Sequence, residues 1–224
     1  MRSRLTTVVF LLPASRLKNR LLNLLGHSVH PTARLGICLV IKVERFDLAE
    51  GVLVNNFNFF QHLALVQIGY GSRIMMLNWI LGGSGFESDG VDRGDLRTLK
   101  MGAHAHVISC HYLDCGGGLI MSDNSWLTGV RSTVLSHAFD PEGGGIVLEP
   151  IVLEKGAVVA TSCTMLPGTV VGAGALLAAG STTWTGQKLA PESLYGGVPA
   201  RRLAPITVSD KAYQRARYGA DESA

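Results

Sequence analysis

Apolar residues recur every six positions in the C-terminal half of the chain, at Leu153, Val159, Met165, Val171 and Leu177, with Thr183 a weaker sixth. Four residues after each of the first five stands something small: Ala157, Cys163, Thr169, Ala175 and Ser181. Side chains alternate along an extended chain, so positions i and i+4 share a side. A large inward residue followed by a small one predicts a short strand that runs into a tight corner. Repeated, that unit makes a coil whose turns stack as parallel sheets without hairpins. Three hexads per turn would set Leu153 under Val171 and Val159 under Leu177.

The same phase runs backward through Met121, Leu127 and Thr133, through Met101 and Val107, through Ile68, Ile74 and Ile80, and through Val29, Leu35 and Ile41. A helical reading fails because six does not match 3.6 and the glycines would be costly. A β-sandwich would show turn signals about every 8 to 12 residues rather than a strict hexad. The expected organisation is therefore one all-β repeat domain over 29–203, with a C-terminal tail at 204–224. Two interruptions, 82–99 and 139–150, are expected as surface loops, which in a rigid solenoid often carry function.

Residues 1–28 lack the hexad. Ser15 as a cap, the amphipathic run to Leu25 and a closing Gly26 predict a helix. Arg2 and Arg4 ahead of an apolar stretch resemble a signal peptide, but Pro13 ends that stretch and no small-residue cleavage site follows. The basic helix either packs on the domain or touches an anionic membrane surface.

Composition agrees with a buried, turn-rich protein: 47% of residues are hydrophobic, 17% are charged, and 27 are glycine. A net charge of +3 with few aromatics argues against a nucleic-acid surface. Cys38, Cys110, Cys115 and Cys163 form no CxxC pair and read as reduced core thiols, which points to the cytoplasm.

Polar residues at i+4 break the small-residue rule and mark candidate chemistry: Asn78, His111, Arg131 and His137. His137 stands directly before the second interruption, and Asp140 and Glu142 follow it as carboxylates able to orient an imidazole or hold a substrate. A neutral imidazole there can accept a hydroxyl proton. His111 is a second site candidate; for both histidines the plain alternative is a structural one. His104 and His106 alternate on a strand and cannot both face inward.

These features resemble the hexapeptide-repeat acyltransferases, among them sugar and polysaccharide O-acetyltransferases. The resemblance rests on Pro150-Ile151-Val152-Leu153, Leu166-Pro167-Gly168-Thr169-Val170-Val171-Gly172, Ala178-Ala179-Gly180-Ser181 and Gly197-Val198-Pro199-Ala200-Arg201, preceded by Ser136-His137-Ala138-Phe139-Asp140-Pro141-Glu142. It covers 101–203 well and 29–80 loosely. It implies a left-handed parallel β-helix, a homotrimer with sites between subunits, acetyl-CoA as donor, no metal, and a sugar or glycan hydroxyl as acceptor. It also implies His137 as general base, and a CoA path along Ala160, Thr161, Ala179, Gly180 and Arg201. Trp184-Thr185 stands where the family's turn has Thr-Lys, leaving Lys188 as a substitute. Two rival readings remain: a carbohydrate-binding scaffold without chemistry, and a γ-type carbonic anhydrase, for which His106 and His111 have a suitable local spacing but no third histidine stands at the spacing that family expects.

Overall fold

The computed structural model describes residues 2–83 and 96–209. The chain winds into a left-handed parallel β-helix with three faces, of eight, nine and six strands. Neighbouring strands on each face come from successive turns of the coil and pair in register. The first face stacks one inward column from Val29 to Leu189, and the second one from Leu35 to Tyr195. Val171 sits over Leu153, and Leu177 over Val159, as the hexad requires. Val40, Phe60, Ile80, Leu113, Val134 and Met165 fill the third column, and these six are buried. Thr183 follows at the top of that column, where its hydroxyl lies 2.7 Å from that of Thr169 and accepts from Leu166 N–H.

Within the runs of hexads the inward position departs from the expected residue twice. Val40 rather than Ile41 faces inward on the first turn. On the fifth turn a bulge intervenes: Gly129 and Arg131 both take left-handed φ, +67° and +61°, and the register against the strand below shifts by one. One extra residue flips every following side chain to the other face. Val134 is therefore interior, while Thr133 and exposed Arg131 are not.

One helix is expected at the N-terminus and two are present, α1 (Arg2–Phe10) and α2 (Arg16–Leu24). Ser15 caps α2 by accepting from Lys18 N–H. Both pack on the open first turn, with Phe10 and Leu22 fully buried. Lys18 is also fully buried, and its Nζ donates to the carbonyls of Phe10, Leu12, Leu35 and Gly36. An end of the coil that would otherwise leave carbonyls unsatisfied is thus closed by one ammonium. Its pKa is lowered to about 8 by burial. The outward sides of the helices carry Leu5, Val8, Leu17 and Leu24. Among the described residues, no helix is long and apolar enough to cross a membrane.

At the other end, Arg201–Pro205 turns back antiparallel against Ser193–Gly196. The second interruption is a β-hairpin, His137–Asp140 against Gly145–Leu148, so it opens at His137 itself. Most of the first, 84–95, lies outside the described residues, as does 210–224 of the tail. Cys38, Cys115 and Cys163 are buried thiols; Cys110 is exposed at a corner.

Candidate active site

The third face ends at a corner where Tyr112–Asp114 stops and the hairpin leaves the coil. Asp114 is buried there, and its Oδ2 lies 2.6 Å from His137 Nδ1. The same oxygen accepts from Ser136 N–H at 2.8 Å and from the Ser136 hydroxyl at 3.0 Å, while Oδ1 accepts from Gly116 N–H. Four donors converge on one carboxylate, a pattern that holds the anion in place. An ionised carboxylate only accepts, so Nδ1 carries the proton and Nε2 is left as the basic nitrogen. The His137 side chain is 36% exposed and that of Asp114 is 3%, so a fixed, buried anion orients an accessible imidazole.

This corner differs from the expectation in several respects. His137 does not break the small-residue rule: after the bulge Ser136 takes the interior place, with its hydroxyl accepting from Gly117 N–H, and His137 points outward. The orienting carboxylate is Asp114, not Asp140 or Glu142. Asp140 shapes the hairpin turn, accepting from Glu142 N–H through Oδ1 and from Gly144 N–H through its carbonyl. Glu142 is exposed in that turn. A signal for Asp114 was present: with turns of about twenty residues, a carboxylate closing a strand falls beside the corner one turn on, which is where His137 stands.

His111 does not join the group. It lies inside the coil, 1% exposed, accepting from Ser132 N–H at Nδ1 while its own N–H donates to Asn78 Oδ1. Burial lowers its pKa to about 4, against a contact with the Gly129 backbone that raises it, so the ring is neutral and, with Nδ1 accepting, carries its hydrogen on Nε2. Asn58 and Asn78 continue this polar interior seam below it. His106 stacks on Trp126 on the second face, with ring centroids 4.5 Å apart. Among the described residues no three His, Cys, Asp or Glu side chains converge as a metal site.

The residues expected along a CoA path divide. Gly180 N–H donates to the Thr161 carbonyl, so Ala160-Thr161 and Ala179-Gly180 stack on the corner between the second and third faces. Gly180 has φ +68° and open space where a Cβ would sit. Thr161 also clamps the bulge, donating to Val130 carbonyl and accepting from Val130 N–H. Arg201 stands on the antiparallel edge strand of the second face, paired with Gly196. Lys188 is not with them: it lies on the first face, its Nζ donating to Gly168 carbonyl.

No family model and no curated protein matches the chain. Solved structures do match. AntD, an N-acyltransferase from Bacillus cereus in complex with dTDP and 3-hydroxybutyryl-CoA, superposes with a TM-score of 0.54 at 18% identity, over 70% of this chain and 81% of that one. A hexapeptide-repeat acetyltransferase from Vibrio cholerae, complexed with acetyl-CoA, is similar at a TM-score of 0.48 and 17% identity, over 92% of this chain and 86% of that one. The chain thus shares its fold with AntD.

Proposed function

We propose that the protein is an acyltransferase that moves an acetyl group from acetyl-CoA to a hydroxyl of a sugar or glycan. The observation that carries this reading is the His137–Asp114 pair, an exposed imidazole whose tautomer a buried carboxylate sets. His137 Nε2 takes the hydroxyl proton as the oxygen attacks the thioester carbonyl; the CoA thiolate then leaves and receives that proton from the imidazolium. Asp114 stabilises the imidazolium while it exists. A donor edge at Ala160-Thr161 and Ala179-Gly180 suits pantetheine, because open corners without bulky side chains let a narrow chain lie against backbone. The CoA held by AntD supports this choice of donor.

The donor edge and His137 occupy opposite ends of the third face: Val130, which Thr161 holds, stands seven positions before His137. One chain alone does not bring them to a common substrate, and a neighbouring copy supplies the missing edge. The outward ladder of the third face supports such an assembly: Leu39, Phe59, Trp79 and Tyr112 stack in register. Leu39, Trp79 and Tyr112 are 44%, 56% and 40% exposed. A closed homotrimer covers three such ladders at once. The protein works in the cytoplasm on this reading, with the apolar outer sides of α1 and α2 and the exposed Arg4, Arg16 and Arg20 available to an anionic membrane.

AntD is an N-acyltransferase, and proton removal by His137 serves an amine as well as a hydroxyl. The test is therefore thiol release from acetyl-CoA against glycans and amino sugars. His137→Ala is expected to lose about 10²- to 10⁴-fold in rate; full activity in that variant overturns the mechanism.

A further inference from the structure

A cavity of about 490 Å³ opens beside the N-terminus of α1, lined by Arg2, Lys42, Glu44, His62 and Arg97, with Ser3 and Val43. It holds three permanent cations and one carboxylate. Glu44 neutralises only part of that charge, through a 2.8 Å ion pair to Arg97. Arg2 is held over the cavity wall, its Nη2 donating to Glu44 carbonyl while the guanidinium lies against Gly26, where a Cβ would come within 3.0 Å of it. The His62 pKa is lowered by burial, then by Lys42 and Arg97. Gathering like charges costs free energy unless an anion joins them.

The cavity's place in the coil gives it meaning. Ile41, Gln61, Leu81 and Asp114 pair in register along the third face. Lys42 and His62 directly follow the first two, so they occupy the same corner as Asp114 and His137. At about 4.8 Å per strand, His62 lies two turns, or roughly 10 Å, below Asp114. An acceptor with a hydroxyl at His137 would lay its other end there.

We infer that this cavity, formed by Arg2, Lys42, His62 and Arg97, binds a phosphate or diphosphate group of the acceptor, making the substrate a glycosyl phosphate rather than a neutral sugar. The inference rests on the acyl-transfer reading for its substrate, but the anion site stands on its own geometry. Phosphate fits better than carboxylate because several cations converge from different elements, which suits a group with three or more acceptor oxygens. The diphosphate is carried either by a soluble nucleoside-diphosphate sugar or by a lipid-linked sugar.

Titration calorimetry of the full chain with inorganic pyrophosphate tests it. One saturable equivalent is expected, with affinity that falls as salt rises. Lys42→Asn removes a charge while keeping a residue that tolerates the φ of +51° at that corner; it should weaken binding about tenfold. Glu44→Gln, which removes the competing carboxylate, should tighten it severalfold. Arg131→Asn, at an exposed arginine on another corner whose φ is also left-handed, should change nothing, and melting curves check that each variant is folded. Absence of binding, equal loss in Arg131→Asn, or no response to Lys42→Asn and Glu44→Gln overturns the site. Competition by a nucleoside-diphosphate sugar against vesicles carrying a lipid diphosphate sugar identifies the source, and failure of both overturns the substrate class. A chain that binds pyrophosphate through Lys42 yet releases no thiol with any acceptor removes the acyl-transfer reading and leaves the anion site. Acyl transfer to a phosphorylated acceptor with KM unchanged in Lys42→Asn does the reverse.

Discussion

His137 and Asp114 meet at 2.6 Å across adjacent turns of the coil, although 23 positions separate them in the chain. The carboxylate is buried beneath the ring it orients, so its influence passes through the proton on Nδ1.

Asp114→Asn keeps the shape of this contact and changes its polarity. The amide NH2 would turn toward Nδ1, favour the opposite tautomer and put the hydrogen on Nε2. A fall in kcat of about 10²- to 10⁴-fold is expected with little change in KM for acetyl-CoA. Because Asp114 is a positioning residue, the acidic limb of the kcat–pH profile, where the general base is protonated, should also move, and a loss without such a shift would mark a purely structural role.

Trp79 stands in the outward ladder, edge-on to Phe59 with ring centroids 5.7 Å apart. Trp79→Glu would place a charge in the face proposed to join copies. Sedimentation should show the parent as a trimer and the variant as a monomer with no thiol release. A parent that sediments as a monomer while active would end the shared-site argument.

Acid should weaken the fold through two buried histidines. His27 and His111 both have pKa values lowered to about 4, each chiefly by burial. Both stay neutral in the folded chain while the unfolded chain takes up protons below about 6.5. Each therefore withdraws about 1.4 kcal/mol of stability per pH unit between about 6.5 and 4. Urea unfolding at pH 7 and pH 5 measures it, and His111→Asn, which extends the seam of Asn58 and Asn78, should flatten the dependence.

Gly129 makes the bulge possible. A Cβ there would lie 2.5 Å from that of Thr161, on a backbone with φ +67°. Gly129→Ala should cost about 1–3 kcal/mol in urea unfolding, whereas Gly144→Ala, with no atom within 4 Å, should cost only the smaller φ strain.

The hexads made the coil legible, since a period of six with large and small inward positions has few other solutions. The column of Leu153, Val171 and Leu189 follows from counting. The bulge did not follow, because one extra residue between Leu127 and Val134 leaves composition unchanged and alters only which side faces in. The hexad alone therefore puts Thr133 inside and makes His137 a polar intruder, whereas Ser136 is the interior residue. Asp140 and Glu142 are close to His137 in sequence, whereas the nearness of Asp114 depends on the pitch of the coil. Lys42, His62 and Arg97 carry no local motif, and only stacking and the fold of α1 bring them together with Arg2.

Registered stacking turns the corner shared by Lys42, His62, Asp114 and His137 into a graduated scale. Groups on that edge are separated by whole numbers of strand spacings, each about 4.8 Å. The reach from the anion cavity to His137 is then a count of turns, and it would change only by a step when a turn is added or deleted between them. Side-chain substitutions on this edge tune affinity within one graduation; a different length of acceptor demands a different number of coils.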